Sequence, residues 1–396
     1  MILSDICEFI VDCPHTTAED EGQGYPLIRT PNIGKGRLLL KGVHRVSEEV
    51  YNNRNFRAVP QDDDLIFARE APAGNVAIIK NGEKVCLGQR TVLIRPDKNF
   101  VNPNYLVYYL LTPQQQYKLL GTANGATVAH VNLPIIRNLP IELPDIETQN
   151  KIADILFAYD NLIENNQKQI KLLEEAAQRL YKEWFVDLRF LGYENIPIID
   201  GIPQGWRTTE IGNAFKTFLG GTPSREKSEY WENGTIPWIN SGKVNELRVV
   251  EPSEYITDIA LNKSATKLLP KHTTLVAITG ATLGQVSYTE IETCANQSVV
   301  GIVDKSQMYS EYVYCYVLNN IKNIIGKATG GAQQHINKDI VNSYSIVLPS
   351  DDISVKFQCV AKPIFDKIAK LLFENIKLTE ARDRLLPKLM SGELEV

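Results

Sequence analysis

One chain-length repeat constrains this sequence more than any other feature. The stretch from Gly121 through Asn124, Thr127 and His130 to Asn132, followed by Leu143 and Pro144, returns from Gly326 through Gln333, Gln334 and His335 to Asn337, followed by Leu348 and Pro349. The partners share a single offset (326 − 121 = 335 − 130 = 349 − 144 = 205). That period is too long for a solenoid repeat and suits a whole domain plus a connector. A duplicated domain implies one task performed at two places on a partner of pseudo-two-fold symmetry, and double-stranded DNA is such a partner.

The 396 residues leave room for two or three domains, and 43% apolar with 22% charged residues is globular composition. No run approaches the ~20 apolar residues of a membrane span, and the Met1 end leads directly into folded-looking sequence, so no signal peptide is expected. Cys7, Cys13, Cys86, Cys294, Cys315 and Cys359 form no C-x-x-C pair. They read as buried small hydrophobes of a reducing cytoplasm, and no zinc-type spacing joins them to the histidines. Net charge −5 argues against a uniformly basic nucleic-acid binder, but phosphate contact depends on local patches. One cationic run is visible: Arg29, Lys35, Arg37, Lys41, Arg45, Arg54 and Arg57. A solvated face is the bland reading of such a run.

Short β-branched and aromatic runs broken by glycine and proline predict strands over Tyr25–Thr30, Leu65–Phe67, Val76–Ile79 and Val92–Ile94. A helix is predicted at Asn104–Leu111, with its counterpart at Glu311–Leu318. Cys86 and Cys294 occupy equivalent places, each three residues before a glutamine, Gln89 and Gln297. Ile152, Leu156, Tyr159, Ile163, Ile170, Leu173, Ala177, Leu180 and Trp184 then fall at alternating steps of four and three, with Asn166 in the remaining place. That is a coiled-coil seam. A helix from Ile152 to Leu188 would be a rod of roughly 55 Å, too long to stand without a partner. Asn166 reads as a register-setting polar contact or as a wet gap in the seam. Phe357, Val360, Ile364, Ile368, Leu371, Leu378, Leu385 and Leu389 form a second seam, which Pro363 should kink or begin. The expected fold is α+β: two strand-rich α/β domains separated by a pair of long antiparallel coiled-coil helices. The expected boundaries are 1–144, a helical spacer 145–190, a connector 191–205, 206–349, and a second helical spacer 350–396.

Several ordered stretches resemble the specificity subunits of type I restriction–modification systems. Asp12–Thr17 and Gly220–Arg225, the latter with Tyr230-Trp231 and Ile236–Ile239, are similar to the openings of two kinds of target-recognition domain. Asp64–Glu70 with Leu87–Arg90 resembles the family's central strands. Trp184-Phe185 through Trp206 resembles its inter-domain connector, and Arg384–Leu394 its C-terminal signature. The halves depart from each other: Ala277–Gly280 stands where the first has Ala68-Arg69-Glu70, so contacts in one half do not transfer to the other. The resemblance implies a DNA-reading subunit without catalysis of its own. It would bind a bipartite asymmetric site and dock two adenine-N6 methyltransferase subunits and, where present, two restriction subunits. S-adenosylmethionine, ATP and Mg would then be needed only in those partners.

The residues agree that catalytic signals are missing. There is no G-x-x-x-x-G-K-[ST] loop. Asn102-Pro-Asn-Tyr105 superficially resembles an amino-methyltransferase motif, but no glycine-rich partner loop precedes it, and a helix N-cap with proline behind it is the better account. The glycine–histidine loops (Asn124, Thr127 and His130; Gln333, Gln334 and His335) suit phosphate or base-edge contact, with a structural turn as the alternative. Gln333 and Gln334 can pair bidentately with adenine. Thr222, Ser224, Arg225, Asn240 and Lys243 in the second domain, and Arg29, Asn32, Lys35, Arg37, Lys41 and Arg69 in the first, complete the candidate DNA contacts. Two other readings stay open: a self-sufficient methyltransferase or nuclease, and a DNA-binding protein of a related methylation or phage-defence system without a nuclease.

Overall fold

A computed structural model describes residues 1–80, 82–121, 130–327 and 335–396. The chain divides into two compact units, Met1–Ile163 with Lys377–Val396, and Glu164–Ile376. Each contains one strand-rich repeat and part of each long helix.

In the first unit a five-stranded sheet runs Cys7–Asp12, Thr91–Pro96, Leu65–Ala68, Val76–Ile78, Gly36–Arg37. Its neighbours are antiparallel except the last pair, which is parallel. The central strands are buried on both faces, as their unbroken Val, Ile, Leu and Phe content requires. A smaller sheet places Tyr25–Ile28 between antiparallel His44–Val46 and parallel Cys86–Leu87. The helix Pro103–Leu111 covers the large sheet, started by Asn102, whose side chain accepts from the amides of Asn104 and Tyr105. The N-cap reading of Asn102-Pro-Asn-Tyr is therefore what the geometry shows.

The second unit repeats this plan. Its large sheet runs Lys216–Leu219, Val299–Val303, Thr274–Ala277, Val286–Thr289, Arg248–Val249, and its small sheet sets Ile236–Ile239 between Glu254–Ile256 and Cys294–Ala295. The pairing register makes the repeat exact at residue level. Leu27 faces Cys86 and His44, as Trp238 faces Cys294 and Glu254. The helix Ser310–Ile325 is longer than its predicted eight-residue core.

The central helix spans Ile146–Tyr181 and ends in a widened turn, Lys182–Val186; the C-terminal helix spans Asp351–Ser391. Pro363 therefore lies inside a helix that begins twelve residues earlier (363 − 351 = 12), and does not mark its start. Within the first unit, Ile152, Ala153 and Leu156 share a core with Leu385 and Leu389. Within the second, Ile170 packs on Ile368 and Leu371, with Leu173 beside them. The second unit's main core takes Ala177, Tyr181 and Trp184, with Leu180 at its edge, and meets Phe357, Ala361 and Phe365. Rising numbers on one helix meet falling numbers on the other, so the pairing is antiparallel inside each unit. Tyr159, Ile163 and Leu378 are only half-buried, and Val360, expected in the seam, is 43% exposed because Ala361 takes the inward place. Asn166 is buried and its Nδ2 donates to Asn375 Oδ1 at 3.0 Å, so the seam's polar position is a paired contact rather than a wet gap.

The seam also buries charge. Asp160 accepts from Tyr108 at 2.5 Å and pairs with Arg382 at 2.5 Å and Arg37 at 3.8 Å. Glu174 pairs with Arg248 at 2.8 Å and accepts from Tyr314 at 2.9 Å. Arg37 lies opposite Ile78, which faces Leu65; Arg248 lies opposite Tyr288, which faces Thr274. The two arginines are therefore equivalent, and each repeat fastens its parallel edge strand to the central helix by arginine, carboxylate and tyrosine.

Candidate nucleic-acid interface

The cationic run from Arg29 to Arg57 does not form one open patch, because strand pairing turns its members to different surroundings. Arg37 lies on Asp160, with Phe157 under its guanidinium at 5.7 Å, and so belongs to the helix contact. Asn32 is buried; it accepts from the Arg29 amide at 3.1 Å and donates to the Leu39 carbonyl at 3.2 Å, which makes it a turn-forming residue. Arg45 donates to the Gly24 carbonyl and Arg57 to the Asp12 carbonyl. Lys35 and Lys41 are exposed. Arg29 is half-buried at the end of the Tyr25–Ile28 strand.

Arg29 lines a cleft of about 300 Å³ with Thr16, Thr17, Arg54, Gln89 and Arg90. Gly88 makes the cleft wall possible: a Cβ there would come within 2.8 Å of Arg29 Cγ and of the Ile28 carbonyl oxygen. Gln89 donates to the His15 carbonyl at 2.9 Å, which ties the opening motif to this wall. Arg54 is buried and donates to the carbonyls of Leu87 and Thr16 at 2.7 and 3.0 Å. Burial lowers its pKa from the ordinary arginine value. Gln89 and Arg90 were not among the candidate DNA contacts read from the sequence, and Arg54 entered only as a member of the cationic run. The signal was present: Gln89 and Gln297 follow the equivalent cysteines at equal spacing.

Arg69 and His130 form a network rather than free reading groups. Arg69 is buried, pairs with Asp12 at 2.7 Å and donates to the Val131 carbonyl at 3.0 Å. Its other nitrogen lies 2.9 Å from His130 Nε2. Because a guanidinium can only donate, Nε2 accepts and Nδ1–H is left to donate to Glu70 at 2.5 Å. Glu70 also binds Arg90 at 2.8 Å. The Val131 amide returns to the Arg69 carbonyl, and Ile336 returns to Ile278 in the same way, at 3.0 and 3.1 Å. Both glycine–histidine loops are thus anchored to the strand end at one point. His335 is exposed, and Asn124, Thr127, Gln333 and Gln334 lie outside the described residues.

In the second domain Arg225 is committed within the protein. It binds Glu254 through two bonds of 2.5 and 2.6 Å and stacks over Trp231 at 3.6 Å, and that pairing holds the Glu254 carboxyl below its ordinary range. Lys243 pairs with Glu246 at 2.8 Å. Asn240 is exposed and accepts from the Gly242 amide at 2.8 Å. Thr222 donates to Gln297 at 2.5 Å, so the second opening motif is also tied to the shared glutamine, while Ser224 is exposed. Among the described residues no cluster of histidine, cysteine or acidic groups is placed to hold a metal, and no helix is long and apolar enough to cross a membrane. Cys13, Cys86, Cys294 and Cys315 are buried as expected, whereas Cys7 is half-buried and Cys359 is exposed.

The family model for the type I restriction modification DNA specificity domain matches residues 1–175 and again 203–383. The MjaIX specificity subunit of Methanocaldococcus jannaschii is 29% identical over 369 residues, covering 90% of this chain and 83% of that protein. The HindI specificity subunit of Haemophilus influenzae is 23% identical, covering 84% and 86%. A crystal structure of a type I restriction–modification S subunit from M. genitalium has the same fold, with a TM-score of 0.59 at 16% identity over 98% of this chain and 95% of that one.

Proposed function

Because the chain belongs to the type I restriction–modification DNA specificity family, we propose that it is the sequence-reading subunit of such a system, binding a bipartite asymmetric site with one half-site per domain. Residues 1–144 read one half-site and 206–349 the other, and the paired helices set the number of unread base pairs between them. The observation that carries this reading is the register-exact repeat of two sheets whose cleft positions differ: the scaffold repeats while the polar groups at Arg29 and Asn240, or Arg90 and Ser298, do not. A protein recognising the same sequence twice would keep both.

On this reading the chain has no catalytic activity and works in the cytoplasm. It docks two adenine-N6 methyltransferase subunits and, where present, two restriction subunits. S-adenosylmethionine, ATP and Mg serve those partners, and the target adenine leaves the duplex to be methylated there. Co-expression with a cognate methyltransferase, followed by methylation-sensitive sequencing, should reveal adenine methylation at one bipartite asymmetric motif. Methylation at a symmetric or continuous motif would refute the reading. The purified chain with labelled S-adenosylmethionine and DNA should incorporate no label; incorporation would make it an enzyme.

A further inference from the structure

The residues that line the first domain's cleft differ in charge from their counterparts in the second domain. The Gly88 amide bonds the Ile28 carbonyl at 2.8 Å and the Asn296 amide bonds the Ile239 carbonyl at 3.0 Å, so Gln89 corresponds to Gln297 and Arg90 to Ser298. Leu27 corresponds to Trp238, which sets Arg29 against Asn240, and His44 against Glu254. Val46 corresponds to Ile256, so Arg54 falls at Ser264 (54 − 46 = 264 − 256 = 8). Four basic positions in the first domain are thus an amide, an acid and two serines in the second.

Arg90 is paired with Glu70 at 2.8 Å, but the charge deeper in the first cleft is not neutralised by a direct carboxylate pair. Among the described residues no carboxylate pairs with Arg54, which donates to the Leu87, Thr16 and Pro14 carbonyls and to the Thr16 hydroxyl. Arg29 Nε is buried without a hydrogen-bond partner. Two acids lie near without lining the cleft. Asp20 faces His44 at 3.9 Å and accepts the amides of Gly22 and Arg45; Glu70 is shared by Arg90 and His130. A buried guanidinium with only neutral acceptors raises the local potential, and a formally negative ligand gains more from it than a neutral base edge does. The cleft is concave, and the group that projects from a duplex is the phosphate.

We propose that the cleft of the first domain, formed by Arg29, Arg54, Arg90 and the Thr16–Thr17 turn, seats one phosphodiester of the DNA backbone, and that the second domain has no equivalent seat. This rests on the DNA-reading function above. The seat would anchor the first domain on DNA of any sequence, leaving base discrimination to other groups.

The test measures binding of the full chain to a mixed-sequence duplex by fluorescence anisotropy across a salt series. Arg29→Gln should lower the slope of log K against log salt by about 1, since each neutralised phosphate contributes ~0.9. Arg90→Gln, at a side chain 61% exposed and so safe for folding, should move the slope the same way. Ser298→Ala, the second-domain equivalent, should leave it unchanged. If wild type binds the duplex and both arginine variants keep its slope, the seat is refuted while the DNA-reading function stands; if wild type does not bind, both fall. A variant that changes preference among duplex sequences at constant slope makes Arg29 a base reader and overturns the proposal. Titration with inorganic phosphate at fixed ionic strength separates the other source: saturable binding lost in Arg29→Gln, with no change of DNA slope, would assign the cleft to free phosphate instead.

Discussion

Glu290 is a carboxyl group whose chemistry departs from its type. It is buried, with one oxygen lacking a hydrogen-bond partner and the Arg248 Nε at 3.6 Å. Desolvation raises its pKa to about 7 despite Arg248, and Asp366 and Glu311 push in the same direction. An acid with a folded pKa above its unfolded one retains a proton that the unfolded chain has released. Stability should therefore fall as pH rises from about 4.5 to about 7, then level off. The loss is on the order of 3 kcal/mol at most. Glu290→Gln should flatten this slope, so urea midpoints at pH 5.5 and 7.5 should differ less in the variant than in wild type. Equal pH dependence in both proteins would show that Glu290 is ionised throughout. Nothing local announced this residue. Its burial depends on Arg248, in a strand joined by parallel pairing rather than by sequence proximity. The inward turn of Asn32 and Arg69 in the first domain has the same cause. A run of cations from Arg29 to Arg57 is visible along the chain, but which of them strand pairing turns inward, as with Arg54, is not.

At the scale of elements, apolar periodicity located both long helices and most of their seams, because burial of a stripe every three or four residues is a local pattern. It passed over Asp160 and Glu174, which occupy buried places, since a charge scores as outward until its partner is known. Those partners, Arg382 and Arg248, are far along the chain. The two clamps should differ in strength. Arg248→Met leaves Glu174 and Glu290 buried without their shared cation, and breaking a buried pair from one side costs ~3–5 kcal/mol. Arg37→Met leaves Asp160 still bound by Arg382 at 2.5 Å, and the Arg37 side chain is 28% exposed, so the loss should be about 1 kcal/mol or less. Denaturant unfolding that ranked the two variants equally would contradict the asymmetry. The Asn166–Asn375 bond makes a second element-scale prediction. Asn166→Ala should cost ~1 kcal/mol by stranding Asn375, whereas leucine at both positions should be more stable than either single leucine. If the single and double variants unfold together, the amide pair does not set the register.

The duplicated sheets, the antiparallel helix segments and the repeated loop anchors describe one unit used twice, with its polar lining rewritten. The duplication was legible because glycine, histidine and proline landmarks sit at fixed offsets. The rewritten lining was not, because equivalence between Arg29 and Asn240, or Arg54 and Ser264, follows from strand register rather than from the offset of the loops. If the helices act as a ruler between the two readers, their length must be expressed in base pairs. One heptad is about 10 Å of helix at ~1.5 Å per residue, and about three base pairs of duplex at ~3.4 Å each. Removing residues 164–170 together with 370–376 keeps both seams in step, because Leu173 and Leu378 move into the places of Asn166 and Leu371. The variant complex should methylate a motif with both half-sites unchanged and an unread interval about three base pairs shorter. The duplex turns by roughly a third of a revolution over that distance, while a heptad brings the helix back almost to its starting face. Recognition should therefore also weaken, and the recovered motif should be methylated less completely than the parental one. Altered half-sites around an unchanged interval would mean that the helices do not measure the DNA.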